Sequence, residues 1–107
     1  MMSNSVILVT KDYAQTQAVN SVINERNFQD CKWGEQAHAF EWWLAILGEE
    51  FGELAQAILE THFQDNPQHL TKGGINNIRN EAVQVCAVAM ALIECIDRAD
   101  NPPERQG

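Results

Sequence analysis

Apolar and polar positions along the 107-residue chain fall into three helical stretches parted by short polar breaks. From about Asp12 to Asp30 the spacing is helical, with Asp12 as candidate N-cap and Ala18, Val19, Val22 and Ile23 as an apolar stripe. Residues 31–40 read as a loop punctuated by Gly34, and a second helix is predicted over 41–62. Asn66-Pro67 marks a turn and Gly73-Gly74 a break. A third helix then runs from about Ile75 to Arg98, roughly 36 Å at 1.5 Å per residue. Its β-branched content is high, but its length without turn signals favours helix over strand. Residues 1–11, with the run Val6-Ile7-Leu8-Val9, are either a short strand or an irregular lead-in, and Asn101-Pro102-Pro103 opens a tail.

The fold class expected is all-α, in a single domain spanning 1–107, since no repeat or linker-like tract divides the chain. The third helix carries apolar residues on nearly every side: Val83 and Met90 point away from Val85 and Leu92. A helix that is apolar all round belongs in an interior. Three helices cannot enclose it, so a second copy should supply the missing walls, giving a helical bundle completed by homo-oligomerisation.

Seven Lys and Arg stand against fifteen Asp and Glu, a net charge of −8. That balance disfavours direct binding to nucleic acid, though a cation can still bridge an acidic surface to a phosphate. Cys31, Cys86 and Cys95 form no paired framework, and Cys86 and Cys95 lie too far apart along one helix to bridge. An odd count suits a reducing compartment. The run at 6–9 is too short to span a membrane and no basic residue precedes it, so a cytoplasmic location without membrane partners is expected.

The informative feature is where the carboxylates sit. At about 100° per residue, Glu50 falls mid-face among Trp43, Ile46, Leu47, Leu54 and Ala57, with Glu53 at the stripe's edge and Glu49 further out. On the third helix Glu81 lies among Ile78, Val85, Val88 and Leu92, with Gln84 one turn on. A carboxylate facing a core is costly unless paired, protonated or bound to a metal. Arg26 or Arg79 is the available ion-pair partner; otherwise the two stripes converge on a cation. Oxygen-only ligands suit Mg²⁺, or Mn²⁺ in its place, which shares its shell with substrate phosphates.

Glu49-Glu50-Phe51-Gly52-Glu53 resembles the Glu-Glu-x-x-Glu signature of the MazG-like, all-α nucleoside triphosphate pyrophosphohydrolases. The family's later Glu-x-x-Asp is met by Glu81-Ala82-Val83-Gln84, and Cys31-Lys32-Trp33-Gly34-Glu35-Gln36 and Trp43-Leu44-Ala45-Ile46-Leu47 also look like its short single-domain members. The resemblance covers about residues 15–98. It implies Mg²⁺-dependent hydrolysis of a (deoxy)nucleoside triphosphate to monophosphate and pyrophosphate, as nucleotide-pool house-cleaning. It also implies helical dimers, sometimes paired into tetramers. Carried over by position, Glu50, Glu53 and Glu81 are metal ligands and Glu49 a further ligand or the water-orienting base. Gln84 departs from the pattern, offering an amide oxygen with one negative charge fewer.

Around this core, Lys32, Trp33 and His38 precede the metal helix, where a base or phosphate would be clasped, and Lys72 and Arg79 flank the start of the third helix as triphosphate contacts. Trp42 and Trp43 read as packing or interface residues. Glu35-Gln36-Ala37-His38 spells the Glu-x-x-His of carboxylate-bridged di-iron bundles, which need two copies; here there is one. The competing reading is a non-catalytic helical oligomer that binds a nucleotide or protein partner and uses its carboxylates in salt bridges. If Gln84 is a ligand, Gln84→Asp will tighten Mg²⁺ binding in calorimetry; unchanged or weaker binding removes Gln84 from the shell.

Overall fold

The computed structural model of the chain describes residues 9–62 and 74–100. These form three helices, α1 (Tyr13–Trp33), α2 (Phe40–His62) and α3 (Gly74–Asp100), and no strand occurs among the described residues. The all-α expectation is met. The turn at Asn66-Pro67, most of the Val6–Val9 run and the tail lie outside the described residues, as does Lys72.

Local chemistry sets the helix ends. The Asp12 side chain accepts the backbone N–H of Gln15 at 2.9 Å, so α1 begins where the N-cap was expected. Its far end departs from expectation: Cys31, Lys32 and Trp33 belong to α1, not to a loop. The cause is Gly34, which at φ 75 takes the left-handed conformation that closes a helix, its N–H bonded to the carbonyl of Asp30 at 2.8 Å. The glycine punctuates the end of the helix and not the middle of a loop. At the start of α2 the carbonyl of Ala39 accepts the N–H groups of Trp42 and Trp43.

The order of contacts gives the topology. Ser21 meets Arg79, Arg26 meets Glu94, and Gln36 just past α1 meets Arg98, so α1 and α3 run parallel. Trp43 near the start of α2 packs on Val88 and Ala91, whereas Glu50 and Glu53 further along meet Glu81, so α2 is antiparallel to α3. Helix α3 is central; α1 and α2 each pack on it and scarcely touch one another.

The two seams differ in kind. Between α2 and α3 the core is apolar: Trp43 is 2% exposed, and Ile46, Leu47, Leu92 and Cys95 close around it with Val88 and Ala91. Between α1 and α3 the deepest side chains are Arg26 and Gln29, while Val19, Val22 and Ile23 of the expected stripe are only half-buried and Ala18 is exposed. Arg26 donates through Nε to Glu94 at 3.1 Å, through Nη1 to Gln29 at 3.0 Å and through Nη2 to Asp30 at 3.0 Å. These directional bonds attach α1 where its sparse aliphatic surface would not.

Removing Arg26 strands a half-buried Glu94. Arg26→Ala should therefore lower unfolding free energy by about 2 kcal/mol, less than the ~3–5 of a fully buried pair because Glu94 retains some water. Chemical denaturation monitored by helical circular dichroism will measure it, and an effect within about 0.5 kcal/mol would mean that the network does not hold α1.

Candidate metal centre

Glu50 and Glu53 project from α2 and Glu81 from α3. One carboxylate oxygen from each lies within 4.8 Å of the other two. The helical period explains why: positions 50 and 53 stand one turn apart beside the apolar seam, and the antiparallel packing brings position 81 across from them. Glu53 is exposed, whereas Glu50 and Glu81 are half-buried.

Glu50 bears the largest electrostatic load. Its Oε2 is shut off from solvent and has no hydrogen-bond partner among the described residues. Burial first, then the charges of Glu53, Glu81, Glu49 and Glu25, push its carboxyl above the ordinary value. The cations proposed as ion-pair partners are engaged elsewhere: Arg26 with Glu94 and Asp30, and Arg79 with the hydroxyl of Ser21 at 3.0 Å. Among the described residues no basic side chain forms an ion pair with Glu50 or Glu81.

A cavity of about 590 Å³ opens directly beside the cluster. Glu49, Glu50 and Gln84 line one side of it; Trp33, His38, Trp42 and Trp43 supply aromatic wall. The His38 ring stands edge-on to Trp43, centroids 4.9 Å apart, and its Nε2 lies 3.0 Å from Gln36 Oε1. The volume and the mix of apolar wall with a few polar groups are those of a small-molecule site. Gln84 also lines a second cavity of about 450 Å³, between α1 and α3, with Arg79, Asn80, Asn24, Ser21 and Glu25.

The structure thus gathers Glu49, Glu50, Gln84, Trp33 and His38 around one space and Glu53 and Glu81 against it, with Arg79 on the adjoining cavity. Lys32 stands apart, its Nζ 4.6 Å over the Trp33 ring, and lines neither cavity. The Glu35 of Glu-x-x-His pairs with Arg98, 3.4 Å away. Sequence reasoning passed over Glu25 of α1, whose charge bears on Glu50 and whose Oε2 accepts from Gln29 at 3.2 Å. It also treated Trp42 and Trp43 as packing or interface residues and not as site residues, although both line the cavity. Their signal was position: Trp43 lies seven residues, two turns, before Glu50 on the same face. Comparison with protein-family models, curated proteins and solved structures finds no match.

A raised carboxyl in the folded state means that the folded chain holds its proton to higher pH than the unfolded chain. The ionised Glu50 therefore costs stability at neutral pH, and the cost fades as pH falls from the raised value toward the ordinary 4.5. In metal-free buffer Glu50→Gln should melt higher than the parent at pH 7, with the difference closing by about pH 4.5. Melting curves across that range check this, and a parent at least as stable as the variant at pH 7 contradicts it.

Proposed function

We propose that the chain is a divalent-metal-dependent nucleoside triphosphate pyrophosphohydrolase, converting a (deoxy)nucleoside triphosphate and water to monophosphate and pyrophosphate. The observation that carries the reading is the juxtaposition of the three-carboxylate cluster, one of whose members, Glu50, has a buried oxygen without a hydrogen-bond partner among the described residues, and an aromatic cavity of nucleoside size. The motif resemblance supports the same conclusion. The donor set fits a hard cation: oxygen ligands only, crowded negative charge, and no ion pair from the described basic residues. Glu50, Glu53 and Glu81, with the amide oxygen of Gln84, would hold Mg²⁺ or Mn²⁺. Such an ion supplies charge neutralisation for a triphosphate and Lewis-acid stabilisation of its reacting phosphoryl group.

The chain's own residues take the remaining roles. Glu49, exposed where it lines the cavity, orients the attacking water and accepts its proton. Trp33 and Trp42 offer ring faces on which a base stacks, and His38, fixed against Gln36 and Trp43, presents an edge for polar contact. Arg79 offers the adjoining cavity a guanidinium for the phosphates that leave.

Homo-oligomerisation, as dimer or tetramer, belongs to this reading. Leu44, Phe51 and Ile58 form an exposed stripe on α2, Leu44 at 73% and Phe51 at 61%. Gly48 and Gly52 lie along it with nothing within 4 Å of where a Cβ would stand. Two glycines inside a helix cost about 1 kcal/mol each, and nothing within a single described chain requires them. Close approach of a second copy accounts for both.

The test is pyrophosphate release over the common nucleotides with and without Mg²⁺. Turnover should require the metal and fall about a thousandfold or more in Glu50→Gln and in Glu81→Gln, with helical content retained. Wild-type rates in either variant remove that residue from the mechanism. No turnover of any nucleotide, together with no metal-dependent thermal shift, favours the non-catalytic oligomer.

A further inference from the structure

Part of the wall of the 590 Å³ cavity is not helix. Glu35, Gln36, Ala37 and His38, from the segment joining α1 to α2, line it beside the tryptophans. Of residues 34–39 only Gln36 and His38 are half-buried, and the rest are exposed. A segment with so little burial holds one conformation poorly by itself. Its ends are fixed by the helices it joins: the Gly34 N–H bonds to the Asp30 carbonyl, and the Ala39 carbonyl accepts from Trp42 and Trp43.

Its middle is tied to α3. Arg98, in the last turn of that helix, donates through Nη2 to the backbone carbonyl of Gln36 at 2.8 Å. The donor is charged and its side chain is two-thirds buried, which strengthens the bond. The Arg98 ion pair with Glu35 is longer, at 3.4 Å, and Glu35 is 71% exposed, so water screens it. From Gln36 the tie passes on. Gln36 Oε1 lies 3.0 Å from His38 Nε2, and the His38 ring stands edge-on to Trp43. One chain of contacts therefore runs from the end of α3 through Gln36 and His38 to the indole sealed in the core.

We infer that Arg98 is a positioning residue for this cavity. Through the Gln36 carbonyl it holds residues 34–39 as a fixed wall and, on the nucleotide reading proposed for the cavity, keeps His38 where a base meets it. Arg98 stands nearly five turns of α3 beyond Glu81, roughly 25 Å at 1.5 Å per residue. It acts on binding and not on the carboxylate cluster.

The wall is tested without nucleotide or metal. In the full-length chain the His38 ring protons should give nuclear Overhauser contacts to the Trp43 indole. Arg98→Met keeps most of the aliphatic stem and removes the donors, and should weaken these contacts about threefold or more. Arg98→Lys can still donate to a single carbonyl, and should keep them within about twofold of the parent. Glu35→Gln should also keep them within about twofold, because the exposed ion pair contributes little. Undiminished contacts in Arg98→Met, equal loss in the methionine and lysine variants, or a matching loss in Glu35→Gln overturns the proposal. The second arm is hydrolysis: Arg98→Met should raise KM about tenfold with kcat within about twofold. A fall in kcat at unchanged KM refutes a role in binding. A parent without turnover on any nucleotide overturns the hydrolase reading, while the ring contacts still decide whether Arg98 holds the wall.

Discussion

A carboxylate withdrawn from water beside other carboxylates is among the least favourable arrangements a small protein can hold. Here Glu50 occupies that position because the apolar seam of α2 and α3 leaves it no alternative. Trp43, Val88 and Ala91 draw the helices together two turns away, and the regular backbone then delivers Glu50, Glu53 and Glu81 to one point. Protonation or a cation offsets the repulsion; the surrounding described residues supply neither a positive charge nor a donor to Glu50 Oε2. The geometry of the cluster therefore follows from packing that lies outside it. Any change that shifts the Trp43 contact alters the spacing of the acids.

Helix α1 answers to different physics. Its attachment through Arg26, Glu94, Gln29 and Asp30 is directional, and a forked guanidinium tolerates little sliding. That sets the position of α1 along α3 and hence of the groups at its two useful places: Glu25, whose charge bears on Glu50, and Trp33, in the cavity wall. The apolar seam shapes the site's acidic centre, and the polar seam brings up its third side.

Much of this was legible in the sequence for an identifiable reason. A charged residue in the middle of an apolar face stands out at the 3.6-residue period, and Glu50 and Glu81 are such residues. Their meeting required only that the two faces pack together. The end of α1 was less legible, since a glycine amid polar and aromatic residues reads equally as a loop or as a helix terminator, and only its left-handed φ decides. The docking of α1 could not be read at all. Arg26 and Glu94 are 68 positions apart, and no local pattern announces a buried ion pair at that separation. The aliphatic residues of α1 gave a plausible stripe, but they lie beside the true contact and open onto a groove. Trp42 and Trp43 were legible as large apolar residues, not as cavity wall, because that role comes from the chain past Gly34 folding back to set His38 against Trp43.

All three tryptophans of the chain, Trp33, Trp42 and Trp43, border the same cavity. They differ in setting: one is sealed in the core against an imidazole, one carries an ammonium group over its ring, and one is open to solvent. The molecule's entire indole fluorescence thus arises from a single location, with three emitters of unequal polarity and quenching. Whatever enters that space must alter the colour or intensity of this light, so the protein carries its own optical gauge of occupancy without any added dye.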